Sequence, residues 1–289
     1  MQRRSTLVPR REAIAGIASL ATAPLIGCES GGVARSADHG KRKDAPAAEP
    51  LVIVPAVHTT DGNGATLARV FPSPYLQNLD PFVLLDDFNV GPPAGFPTHP
   101  HRGFEAFTYM VQGAFHHIDN LGNDSAISAG GTQRFTSGRG AYHSEMPATD
   151  GENRGLQLWV NLPRRLKQMN PNYAGNDART IPETRNASEK RRTVVGGNSP
   201  VELQTQVSYM DITLNAGARF QHTIEDGWNT IVYVISGALE LAGNRIAEQQ
   251  AALPKPGELS LLAVGPTRFA FLSGKPHHEP ILHHGPFVD

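Results

Sequence analysis

Two eight-residue runs constrain the fold more than anything else in the chain. Phe107-Thr-Tyr109-Met-Val111-Gln-Gly113-Ala114 recurs as Ile231-Val-Tyr233-Val-Ile235-Ser-Gly237-Ala238, an offset of 124 residues (107 to 231), with apolar residues, Tyr, Gly and Ala at the same places. Each run alternates with period two, as a strand does, and closes on a glycine. Leu156, Leu158 and Val160 alternate likewise, and TIVYVISGALEL (230–241), ELSLLAV (258–264) and RFAFLSG (268–274) are each cut short by Gly, Pro or a turn. Twenty-nine glycines and 23 prolines supply the turns such a chain needs. The pattern predicts an all-β protein made of two tandem jelly-roll barrels, 51–172 and 173–289, joined by a polar, turn-rich stretch. One brief helix is expected, from Arg164 to Met169, ahead of Asn170-Pro171.

The first fifty residues read differently. A basic start is followed by an uncharged small and apolar run, Ala13 to Gly27, too short for an ordinary transmembrane helix and of the length of a signal-peptide core. Arg10-Arg11 stand directly before it and resemble a twin-arginine export signal, although Pro9 and Ala13 depart from the usual motif. Leu25-Ile26-Gly27-Cys28 resembles a bacterial lipobox, and Cys28, the chain's single cysteine, is the expected lipidation site. Residues 1–28 are thus read as a lipoprotein signal peptide and 29–50, polar and rich in Gly, Ala, Pro and charge, as a flexible tether. The expected location is outside a bacterial cytoplasm, lipid-anchored in the envelope or periplasm. The formal net charge is -1, which gives no global field to attract nucleic acid or anionic lipid. Contact with a membrane is therefore expected only through the anchor, and the chain is expected to be a monomer.

Within the first barrel, His99 and His101 are two residues apart, and so are His143 and Glu145. Residues i and i+2 of a strand share a face, so each pair points one way. If both strands line one barrel interior, three imidazoles and a carboxylate converge. Two or three histidines with a carboxylate and open positions make the pattern of non-haem iron sites, and manganese, nickel, copper or zinc suit the same donors. Adding 124 to His99 and His101 gives Thr223 and Glu225 beside a lone His222, and adding it to His143 and Glu145 gives Thr267 and Phe269. The second barrel is expected to hold no metal. His116-His117 are read as a solvated strand end, and His277-His278 and His283-His284 as part of a structural closing tail.

GFPTHPHRGFE (95–105), SGRGAYHSEMP (137–147), GLQLWVNLP (155–163) and EPILHHGPFV (279–288) resemble the pirin family of bicupins. The resemblance implies one metal, usually iron, in the N-terminal cupin, with the family ligands falling on His99, His101, His143 and Glu145. It leaves Glu105, a metal ligand in many other cupins, as a supporting or structural residue. Some pirins act as quercetin 2,3-dioxygenases, which implies an Fe(II)-dependent, O₂-consuming ring opening of a flavonol or catechol-like enol, with Glu145 as the catalytic base. Others resemble redox-sensing regulators that bind proteins, which is the competing expectation.

Overall fold

The computed structural model describes residues 50–289. The export segment expected at 1–28, its Cys28 and the tether up to residue 49 lie outside the described residues. Among those described, no helix is long and apolar enough to cross a membrane.

Each half is a pair of antiparallel sheets. In the first, a seven-stranded sheet runs in the order Asn172–Asn176, Thr132–Thr136, Phe104–Gln112, Asn153–Asn161, Phe82–Val90, Ala65–Phe71, Val57–Asp61. A four-stranded sheet, Phe96–His101, Ala141–Pro147, Ala114–Asp119, Asp124–Ser128, packs on it. The second half repeats the plan: strands Asn229–Ser236, Thr267–Gly274 and Val207–Leu214 lie at the centre of another seven-stranded sheet, with a four-stranded partner. The period-two pattern explains the layering. In Phe104–Gln112, Phe104, Ala106, Thr108 and Met110 point into the first barrel, while Phe107 and Tyr109 point at the other half.

The two large sheets pack against each other through one buried cluster. Leu85, Phe107, Leu156 and Leu158 come from the first half and Tyr209, Ile231, Tyr233 and Leu272 from the second. Two crossed polar clasps sit inside it. Tyr109 donates to Asp211 Oδ2 at 2.6 Å, and Arg268 grips the same carboxylate with Nε at 2.9 Å and Nη2 at 2.8 Å. Reciprocally, Tyr233 donates to Asp87 Oδ2 at 2.9 Å, and Arg154 grips Asp87 with Nε at 2.9 Å and Nη2 at 2.6 Å. Burial, reinforced by the carboxylate beside each, pushes both phenols far above their usual range, so they act as donors. The recurrent Tyr of the sequence repeat is thus the tie between the copies.

The boundary between the halves differs from 172/173. Asn172–Asn176 pairs with Thr132–Thr136, so the first half runs four residues further. Conversely, Val52–Pro55 pairs with Gln250–Leu253 and belongs to the second half's sheet. Each half lends the other a segment, because the tail also returns: Val288 is buried against Phe104, and Lys167 Nζ donates to Gly103 O, Asn161 Oδ1 and Val288 O. The expected helix is only a 3₁₀ turn, Arg164–Leu166, which starts after Pro163 and buries no side chain. The fixed offset also drifts. Asp211 is equivalent to Asp87 at 124, but Arg268 is equivalent to Arg154 at 114 (154 to 268), so Thr267 and Phe269 are not the counterparts of His143 and Glu145.

Candidate metal centre

Antiparallel pairing of Phe96–His101 with Ala141–Pro147 sets His143 opposite His99. The three expected histidines meet on the inner face. His99 Nε2 lies 3.0 Å from His101 Nε2 and 3.2 Å from His143 Nε2. Their other nitrogens point outward: His99 Nδ1 to Pro97 O at 2.7 Å, His101 Nδ1 to Pro286 O at 3.4 Å, and His143 Nδ1 to His117 Nδ1 at 3.4 Å. A carbonyl can only accept, so His99 and His101 carry their protons on Nδ1 and face each other with Nε2 lone pairs. Burial, helped by the neighbouring His99, lowers His101 to about 3, and burial with the surrounding histidines takes His143 well below its ordinary value. Neither ring is an imidazolium at neutral pH.

Those facts fit a cation. Ligand nitrogens about 2.1 Å from a metal lie about 3.0 Å apart at a right angle and about 3.4 Å apart at a tetrahedral one. The observed 3.0 and 3.2 Å fall in that interval, and unbridged lone pairs at such spacing repel.

Glu145 is beside the triad but turned from it. A register shift between His143 and Glu145 bends the strand there. Its Oε1 accepts from Thr108 Oγ1 at 3.0 Å and from Gln133 Nε2, and its Oε2 accepts from Gln157 Nε2 at 2.8 Å. Its ligating oxygen groups with His143 and His117, within 4.8 Å, rather than with His99 and His101. The structure therefore brings three of the four expected donors to one point and holds the fourth on three neutral donors next door. Above them opens a cleft of about 850 Å³, walled by Leu67, Leu84, Phe88, Phe96 and Trp159, with Arg69 and its partner Asp86 also lining it.

His117 corrects the sequence reading. It is not a solvated strand end but fully buried, 3.0 Å through Nε2 from Asp119 Oδ2 and stacked on Tyr173. Only its neighbour His116 reaches solvent, half-buried and paired with Asp124. The signal was present: Phe115, His117 and Asp119 alternate as the ligand pairs do. Glu105 is structural. It points to the opposite face of its strand, accepting from Thr136 Oγ1 at 2.8 Å and from the Gln204 amide at 2.7 Å. Of the tail histidines, His277 bonds Asn161 O and Thr205, while His283 lines the cleft wall near Trp159.

Among the described residues, both groups of three possible donors lie in the first half. The strand register shows why. Gln157 and Gln133 flank Thr108, and the equivalent positions are Phe271, Ala252 and Val232. The second barrel is filled with Phe220, Phe269, Phe271, Leu259 and Leu261 where the first keeps polar groups.

Two antiparallel sandwiches sharing a large interface, one with a histidine-lined interior and one packed solid, define a bicupin. The sequence matches the family models for Pirin over residues 64–160 and for the Pirin C-terminal cupin domain over 209–289. It is 40% identical over 238 residues to a pirin-like protein of Solanum lycopersicum, covering 79% of this chain and 82% of that one. It is also 40% identical over 248 residues to a putative quercetin 2,3-dioxygenase of Pseudomonas aeruginosa, covering 79% and 87%. A quercetin 2,3-dioxygenase of Acinetobacter baumannii superposes with a TM-score of 0.76 at 30% identity, covering 82% and 90%. The Escherichia coli pirin YhhW, solved in complex with nickel(II), shares the fold with a TM-score of 0.64 at 19% identity over 78% of this chain and 99% of that one. The chain belongs to the pirin family.

Proposed function

We propose that the chain is an O₂-dependent dioxygenase that opens the ring of a flavonol-like enolic substrate, using one divalent metal held by His99, His101 and His143, with Glu145 beside them as the fourth donor once one of its oxygens leaves Thr108, Gln133 or Gln157. The observation that carries this reading is the convergence of three Nε2 atoms, each with its opposite nitrogen held, at an 850 Å³ cleft. The likeness to the Pseudomonas and Acinetobacter proteins supports the substrate class. Iron(II) is the expected ion. When bound, a divalent metal supplies Lewis acidity toward a substrate hydroxyl and a centre at which O₂ can react.

The chain's own residues do the rest. Phe88, Phe96, Leu67 and Leu84 offer an apolar wall to an aromatic ring and keep water from it. Glu145 is the base that takes the hydroxyl proton at a carboxylate oxygen, and Gln133, Gln157 and Thr108 orient it without themselves carrying charge. The competing reading, a protein-binding regulator, gives no role to so large an apolar cleft. The same proposal places the protein outside a bacterial cytoplasm, with Arg10-Arg11 directing export and Cys28 carrying the lipid anchor.

Iron-loaded protein given quercetin should consume O₂ and bleach the flavonol absorbance, and Glu145→Gln should lower kcat far more than it weakens substrate binding. If iron-, manganese-, nickel- and copper-loaded forms all leave quercetin and related enols untouched, the oxygenase reading fails and the non-catalytic one takes its place.

A further inference from the structure

His99 and His101 each turn a back nitrogen to a backbone carbonyl, which fixes their tautomer. His143 does not. Its Nδ1 faces another imidazole nitrogen, Nδ1 of His117, at 3.4 Å, and a ring nitrogen may donate or accept. That contact alone leaves the proton of His143 undetermined. For a neutral His117, the next contact decides it. His117 Nε2 lies 3.0 Å from Asp119 Oδ2, and an ionised carboxylate only accepts. Asp119 is itself locked by donors: the amides of Leu121 and Asn123 on Oδ1 at 2.9 and 3.0 Å, and Asn123 Nδ2 on Oδ2 at 2.8 Å. Every group pointed at this carboxylate brings a proton to it.

We infer that Asp119 and His117 form a positioning relay that holds the proton of His143 on Nδ1 and so presents its Nε2 lone pair to a cation. His117 keeps its proton on Nε2, given to Asp119, which leaves His117 Nδ1 as a lone pair to accept from His143 Nδ1–H. Water cannot substitute, because His117 is 0% and His143 1% exposed. Nor can the rings turn to exchange nitrogens: Tyr173 stacks on His117 at 4.1 Å and Phe135 on His143 at 4.5 Å. The alternative use of the same atoms is a second cation between His117, His143 and Glu145. It would require lone pairs on both Nδ1 atoms and an oxygen of Glu145 freed from Thr108, Gln133 or Gln157.

The inference rests on the metal reading of the triad, but it can be tested apart from it. In metal-free wild-type protein, long-range ¹H–¹⁵N spectra of the imidazoles should show His143 protonated at Nδ1 and His117 at Nε2. In Asp119→Asn, the amide oxygen keeps the Leu121 and Asn123 amides, and the new NH₂ faces His117 Nε2 as a donor. The proton of His117 then moves to Nδ1 and that of His143 to Nε2, where it blocks a metal. His143 should change tautomer, and zinc(II) affinity, read by competition with a chromophoric chelator, should fall about 10- to 100-fold. The relay is overturned if wild-type His143 carries its proton on Nε2. It is equally overturned if Asp119→Asn folds with unchanged tautomer and affinity, or if wild-type protein takes up two zinc ions per chain. Should the wild-type spectrum show the predicted tautomers while no cation binds, the relay stands and the metal reading falls.

Discussion

Tyr109 and Thr108 are adjacent in sequence and point to opposite sides of one strand, so substitutions there should separate stability from site chemistry. The Tyr109 phenol ends 2.6 Å from Asp211, buried between the halves. Hydrogen bonds to a charged group contribute about 1.5–3 kcal/mol, and Asp211 would keep both bonds from Arg268, so Tyr109→Phe should cost about 2 kcal/mol. For a unit of this size 1 kcal/mol moves Tm by about 2–4 °C, which predicts a drop of about 4–8 °C. Tyr233→Phe, on the reciprocal clasp, should lose a similar amount. Asp211→Ala should be worse, about 3–5 kcal/mol, because it strands the Arg268 guanidinium and the Tyr109 hydroxyl together. Differential scanning calorimetry of the metal-free variants measures the loss, and a zinc(II) titration of Tyr109→Phe should be unchanged. If Tyr109→Phe melts within about 1 °C of wild type, or Asp211→Ala is no worse than Tyr109→Phe, the crossed clasps do not hold the halves together and apolar packing alone does.

Acid should destabilise the metal-free protein. His101, at about 3 when folded, and His143, also lowered, bind fewer protons than in the unfolded chain, so stability is lost as pH falls from about 6.5 toward 3. Chemical denaturation across that window should show the slope, and His101→Gln should reduce it. Gly103 has φ +87°, and a Cβ there would overlap Val288 O, so Gly103→Ala should expel the tail and raise protease cleavage near Val288. Cys28→Ser should release the protein from membrane fractions of its native host; a wild type that is already fully soluble and unprocessed there would contradict the proposed anchor.

Period-two alternation makes the strands, the duplication and the convergence of His99, His101 and His143 legible in the sequence, because a strand fixes which face each side chain takes. What it could not show was exchange between the halves. Val52–Pro55 carries no mark of pairing in the far sheet, and Asn172–Asn176 looks like linker because it is a polar edge strand. The segment from Arg164 stops at a 3₁₀ turn, since six favourable residues ahead of a proline do not offset the cost of helix nucleation without an apolar face to bury. A doubled histidine at a strand end looks solvated, yet alternation from Phe115 places His117 inside. Thr108, Gln133 and Gln157 are ordinary polar residues in sequence; only the register that brings them around Glu145 gives them a role.

Three imidazoles of the first barrel should hold one divalent ion, and the second barrel none. Elemental analysis of the folded chain after loading with iron(II) under anaerobic conditions tests it most directly, run beside His101→Ala. Wild type should carry one ion per chain and the variant almost none, with the fold of both intact by circular dichroism. Full metal content in folded His101→Ala, or an ion that survives loss of the triad, would contradict it.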